Sequence, residues 1–128
     1  MTGGRRALAV GSATVGTALL AGAFVLMVRA EAATWAMLAW GVVALVAVAA
    51  FLARFRAEGV QEALGLAGLV ALGQTLALHG VLMLLLGARP PAPVTVLRHL
   101  IAFGVLDALT LVMATLAGHW FPQRPSRR

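Results

Sequence analysis

Four long apolar runs decide what this chain can fold into. Residues 7–28 carry no charge, 33–53 lie between Glu31 and Arg54, and 63–88 lie between Glu62 and Arg89. The fourth run, 94–120, holds Arg98, His99 and Asp107. A helix rising about 1.5 Å per residue crosses a hydrocarbon layer of about 30 Å in roughly 20 residues. Each run is long enough, and the third is long enough to tilt. Together they use nearly all of the 128 residues as one transmembrane domain, leaving no mass for a soluble catalytic unit.

Composition agrees. Apolar residues make up 62% of the chain and charged residues 11%, against about 45–50% and about 25% in soluble domains. So little charge cannot cover a water-facing surface, which excludes a soluble enzyme and a disordered segment. Cysteine is absent, which removes thiol redox chemistry, disulfides and thiolate metal sites. All ten basic residues are arginine, Lys, Asn and Tyr are missing, and Ile101 is the sole isoleucine. Those residue types use AT-rich codons, so the expectation is a GC-rich, bacterial genome.

The expected fold is all-α: an integral membrane four-helix bundle. The connections 29–32, 54–62 and 89–93 are short, which predicts antiparallel packing of consecutive helices. Pro90, Pro91 and Pro93 end the third helix, and 121–128 reads as a basic tail. Arginines set the orientation. Arg5, Arg6, Arg54, Arg56, Arg124, Arg127 and Arg128 fall on one side, and Arg29, Arg89 and Arg98 on the other. Both termini are therefore expected in the cytoplasm, with the protein multi-pass in the bacterial inner membrane. Arginines at span ends, not along one face, give no nucleic-acid signal. Arg5-Arg6 and Ala30-Glu31-Ala32 imitate a signal peptide, but the apolar run is too long for one, so an uncleaved first helix is expected. Trp35 and Trp120 fit the interfacial belt, and Trp40 is placed to pack.

Small residues recur every four positions: Ala9, Ala13, Thr17 and Ala21 in the first run, with Thr14, Ala18 and Gly22 beside them, and Ala63, Ala67, Ala71 and Thr75 in the third. Such ridges let helix backbones approach in lipid. They serve either a self-contained bundle or contact with another subunit.

Polar residues inside the runs carry the functional expectations. Asp107 lies mid-span, where an aspartate costs about 2.5–3.5 kcal/mol on insertion scales, so it should face protein or water. It is read either as a proton or cation site or as a carboxyl group hydrogen-bonded within the bundle. Gln74 lies at a similar depth if the third and fourth helices are antiparallel, and a Gln74–Asp107 hydrogen bond would satisfy both. His99, His79, Gln74 and Asp107 form a candidate descending polar path of the kind a proton relay uses. For His79 the alternative is a neutral imidazole held in the bundle. For Arg98 and His99 it is snorkelling to the interface. Two histidines on neighbouring helices also raise haem ligation, but counted from the ends of the runs they differ in depth by several Å. His119 sits at the opposite interface with no special role. Glu58 and Glu62 suit the helix start. No catalytic motif, paired carboxylate or phosphate loop occurs in a span, so no enzyme activity and no cofactor are expected.

In size, four spans, inward termini and basic middle loop, the chain resembles the ATP synthase protein I family of small bacterial membrane proteins. The resemblance implies a role in assembling the rotor ring of that enzyme or in supplying it with Mg²⁺. The family's third span carries a Gly-Glu pair followed by Lys; here Gly73-Gln74 stands at that place and no Lys follows. Three functions follow as expectations. The first is a non-enzymatic accessory or assembly subunit, whose partners are lipid and other membrane subunits or a second copy. The second is a small oligomeric transporter or channel using Asp107. The third is a haem-binding subunit.

Overall fold

The computed structural model describes residues 2–55 and 57–120, with His119 and Trp120 described by backbone alone. The tail at 121–128, Arg56, and the interfacial placements expected of His119 and Trp120 lie outside what is described. The chain forms four helices: α1 (Gly3–Arg29), α2 (Thr34–Leu52), α3 (Val60–Leu86) and α4 (Pro93–Trp120). All four are long and apolar enough to cross a membrane. Local chemistry sets their ends. The Thr2 hydroxyl accepts the Arg5 N–H at 3.2 Å and caps α1. Gly87, in the left-handed region at φ 64°, closes α3 with its N–H on the Leu82 carbonyl. Pro93 occupies the first turn of α4, where its missing N–H costs nothing.

Packing follows the ridges of small residues. Ala9, Ala13, Thr17 and Ala21 are buried along α1, and Ala63, Ala67, Ala71 and Thr75 along α3. Both ridges are thus used inside the chain. At Gly73 the helices come closest: an added Cβ would overlap the Thr14 hydroxyl and lie 3.7 Å from Val10 Cγ1. The Thr14 hydroxyl is itself fixed, donating to the Val10 carbonyl at 2.7 Å.

α3 packs extensively on both α1 and α4, and α2 touches α1 and α4 more lightly. Among the described residues the backbones of α2 and α3 do not come close to each other. Going round the bundle, the order is therefore α1, α3, α4, α2. This corrects the expectation that consecutive helices are neighbours, because α2 and α3 stand on a diagonal. Arg29 near the end of α1 donates to the Leu85 carbonyl near the end of α3, so these two helices run parallel. Arg5 at the start of α1 donates to the Arg54 carbonyl just beyond α2 at 3.2 Å, so α1 and α2 are antiparallel. α1 begins and α4 ends at the same end of the bundle, since Ala57, just before α3, donates to the Thr115 hydroxyl at 3.4 Å.

The diagonal connection, described at residues 53–55 and 57–59, brings Phe55 and Ala57 into the core at this end. Leu52, Phe55 and Ala57 are buried there with Ala9, Ala13, Ala63, Leu66, Ala67, Val70 and Leu111. The Phe55 ring meets Phe51 edge-on at 5.0 Å, and the Arg5 guanidinium stands 5.7 Å from its centre. Leu52, its last residue, is the only buried residue of α2.

The close α1–α3 approach makes a testable demand. Gly73→Ala should destabilise the protein in detergent by about 1–3 kcal/mol, the usual cost of overpacking. Thr14→Ala in the same chain should recover most of the loss. Gly104→Ala is expected to be near-neutral, because the nearest atom to its Cβ is Ala71 Cβ at 3.9 Å. Thermal unfolding of the wild type and the three variants measures this.

Candidate functional site: an interior cavity with three unpartnered oxygens

The inner faces of the bundle are satisfied in a regular way, with one exception. Thr14, Thr75, Thr110 and Thr115 each donate their hydroxyl to the carbonyl four residues earlier, at 2.7–2.8 Å, a local bond that settles a polar side chain in a helix. Thr17, Gln74 and Asp107 do not follow suit. Thr17 Oγ1, Gln74 Oε1 and Asp107 Oδ2 are buried and have no hydrogen-bond partner. The three residues are 8%, 1% and 3% exposed.

All three line one cavity of about 540 Å³. It lies between the diagonal pair α2 and α3, walled by α1 and α4. Apart from Thr110, whose hydroxyl is bonded to the Leu106 carbonyl, the rest of its lining is largely apolar, with Phe24, Trp40 and Phe103 as the aromatic walls. No arginine or histidine lines it among the described residues. An oxygen buried without a partner costs about 1–3 kcal/mol, and native proteins leave few of them. Three residues from three helices, each with such an oxygen, beside one cavity mark a place where a donor could be met.

Asp107 therefore faces the interior, as its position in an apolar run demands. The expected Gln74–Asp107 hydrogen bond is not formed. Helix register gives the reason. Gly104 on antiparallel α4 faces Ala71 of α3, where an added Cβ would lie 3.9 Å from Ala71 Cβ, so Asp107 lies towards the level of Gly68, about six residues from Gln74. That offset is about 9 Å. The two side chains reach the same cavity at different heights.

The histidines are nearer to each other than their sequence positions suggest. His99 Nδ1 and His79 Nε2 are 3.1 Å apart, with one nitrogen donating to the other, and the rings meet edge-on at 4.9 Å. The expected depth difference of several Å came from placing the end of the third helix at 88 and the start of the fourth at 94. Gly87 ends α3 at Leu86, and α4 starts at Pro93, which puts the two histidines level. This contact does not make a haem site. Axial ligands stand on opposite faces of a macrocycle, and touching rings leave no room for one. Among the described residues no group of three or more His, Cys, Asp or Glu is placed to hold a metal ion.

The proposed descending path is therefore divided. Gln74 and Asp107 belong to the cavity, whereas His79 and His99 form a separate interhelical pair that does not line it, and Arg98 beside them is exposed. Thr17 joins the site although its sequence context suggested only ridge packing. Trp40, expected to pack, forms part of the wall.

The register is open to a direct check, because the chain has no native cysteine. With His79→Cys and His99→Cys together, a short bismaleimide should link α3 to α4 and alter gel mobility after proteolysis between them. Cysteines at 79 and 107 are expected to stay unlinked, being offset by about 12 Å along the helix.

Comparison with known proteins supplies no family: no protein-family model matches this chain, and no curated protein or solved structure does.

Proposed function

We propose that the chain is a small multi-pass protein of a bacterial inner membrane that takes a proton or a cationic solute to Asp107 inside its own bundle. The observation that carries this reading is that Thr17, Gln74 and Asp107, each with a buried oxygen lacking a partner, all line one cavity. A carboxyl group kept solely to glue helices would be hydrogen-bonded to a neighbour, and Asp107 is not. Intramembrane acids that face a cavity belong to ion and substrate pathways far more often than to passive packing. The arginine distribution supports placing both termini in the cytoplasm. The hydrogen-bonded end at which Phe55 and Ala57 enter the core then faces the cytoplasm, and the His79–His99 pair lies towards the outside. No catalytic set accompanies the site, and its work is binding and transfer, not covalent chemistry.

A second reading keeps the chain as an accessory or assembly subunit, as the resemblance to the ATP synthase protein I family implies. The feature in its favour is α2. With one buried residue, it presents Leu38, Val42 and Val43 outward, an apolar face open to lipid or to another membrane protein. The small-residue ridges no longer argue for a partner, because they are consumed within the chain.

Flux through reconstituted proteoliposomes separates these readings. An imposed gradient should drive proton or monovalent-cation movement in the wild type. Asp107→Asn should bring it down to the rate of protein-free liposomes, and Asp107→Glu should retain a measurable part. Equal flux in wild type and Asp107→Asn, or none in either, contradicts the transport reading. Co-purification of a stable larger complex in mild detergent would then favour the accessory role.

A further inference from the structure

We propose that the cavity at Asp107 binds an organic amine: a monovalent ammonium group bearing N–H, attached to an aromatic or aliphatic body. This rests on the reading of Asp107 as a solute site and narrows it to a ligand class.

Three properties of the cavity lead there. The first is the polarity of the side chains beside it, Asp107, Gln74 and Thr17, each of which holds a buried oxygen without a partner. A carboxylate oxygen and an amide carbonyl oxygen are acceptors, and the Thr17 hydroxyl accepts as readily as it donates. What all three have in common is a need for a donor, and an ammonium group brings up to three. The second is charge. Asp107 is the only ionisable residue among those lining the cavity, so the complement is a single positive charge. The third is the wall. Phe24, Trp40 and Phe103 offer aromatic surface to an apolar body and a cation-attracting face to its head.

The same features select against other occupants. Hard inorganic cations such as Ca²⁺ want about six to eight oxygen ligands, and an apolar wall with three unmet oxygens cannot supply them. An acid or phosphate would meet Asp107 with like charge and find no arginine or histidine in the lining. A purely apolar ligand would leave the three oxygens unmet. The cavity of about 540 Å³ falls within the roughly 300–1,000 Å³ of small-molecule sites, which suits a ring with a short alkyl-ammonium arm.

Isothermal titration in zwitterionic-lipid nanodiscs tests the proposal, with empty nanodiscs as the control for partition into lipid. The probes are 4-phenylbutylamine and its alcohol counterpart, 4-phenylbutanol, which share a body and differ at the head. Wild-type protein should bind the amine at least tenfold more tightly than the alcohol. Asp107→Asn should erase that preference, Asp107→Glu should keep part of it, and Gln74→Leu should reduce it. Trp40→Leu should weaken both probes, because it removes wall and not charge. The comparison of two probes on the wild-type protein needs no variant, so a misfolded mutant does not decide the matter. Equal binding of the two probes, or binding of neither, overturns the proposal, and so does a preference that survives Asp107→Asn. The two readings fail separately. Asp107-dependent flux without amine preference removes the ligand class alone, and amine preference without such flux removes the transport reading alone.

Discussion

The approach of α1 to α3 through small side chains governs the rest of this structure. Helices in lipid gain little from apolar contact as such and associate where their backbones can come close. Alanine and threonine every fourth residue on both helices, with Gly73 facing Thr14, give that closeness. With α1 and α4 on two flanks of α3, the remaining face of α3, with Leu64, Leu69, Leu72 and Leu76, is exposed and α2 does not cover it. The second helix stands across the bundle, and the chain crosses along 53–59 to begin α3. The cavity follows from the same fact. It is the space left between two helices that face one another across a diagonal and whose backbones stay apart.

That geometry also accounts for the uneven distribution of polar satisfaction. At the end where the crossing connection brings Phe55 and Ala57 into the core, backbone and side-chain donors are paired: Arg5 to the Arg54 carbonyl, Ala57 to Thr115. At the other end His79 and His99 pair across α3 and α4. Between them, where the helices diverge around the cavity, Thr17, Gln74 and Asp107 have nothing to bond. The polar atoms most costly to bury sit beside the cavity, in residues that line it.

Much of this was legible in the residues themselves. The helix ends fall within about four residues of those read from charge and proline, the ridges are buried as their spacing implied, and Asp107 turns inward as the cost of an exposed intramembrane carboxylate requires. Topology was not legible, for a reason of scale. Packed helices lie about 8–10 Å apart, so a diagonal is roughly 14 Å. The connection 53–59 can extend to roughly 20 Å or more and serves an edge or a diagonal equally well. Register was lost in the same way: a shift of two or three residues in where α3 ends moves His79 by about 3–4 Å and decides whether it meets His99. Thr17 carried no sign of its role, because a threonine in a ridge of alanines looks like packing until the helix opposite is known to be absent.

Thiol labelling in the bilayer puts the central claim to its most direct test. Single cysteines at Thr17 and Gln74 face the cavity, and cysteines at Leu19 and Leu76, close by in sequence, face outward. A small charged methanethiosulfonate reagent reacts with thiols that can ionise in a polar setting and not with thiols in hydrocarbon. The account predicts labelling at 17 and 74, slowed by Asp107→Asn, and none at 19 and 76. Labelling of all four alike, or labelling at 19 and 76 alone, would contradict it.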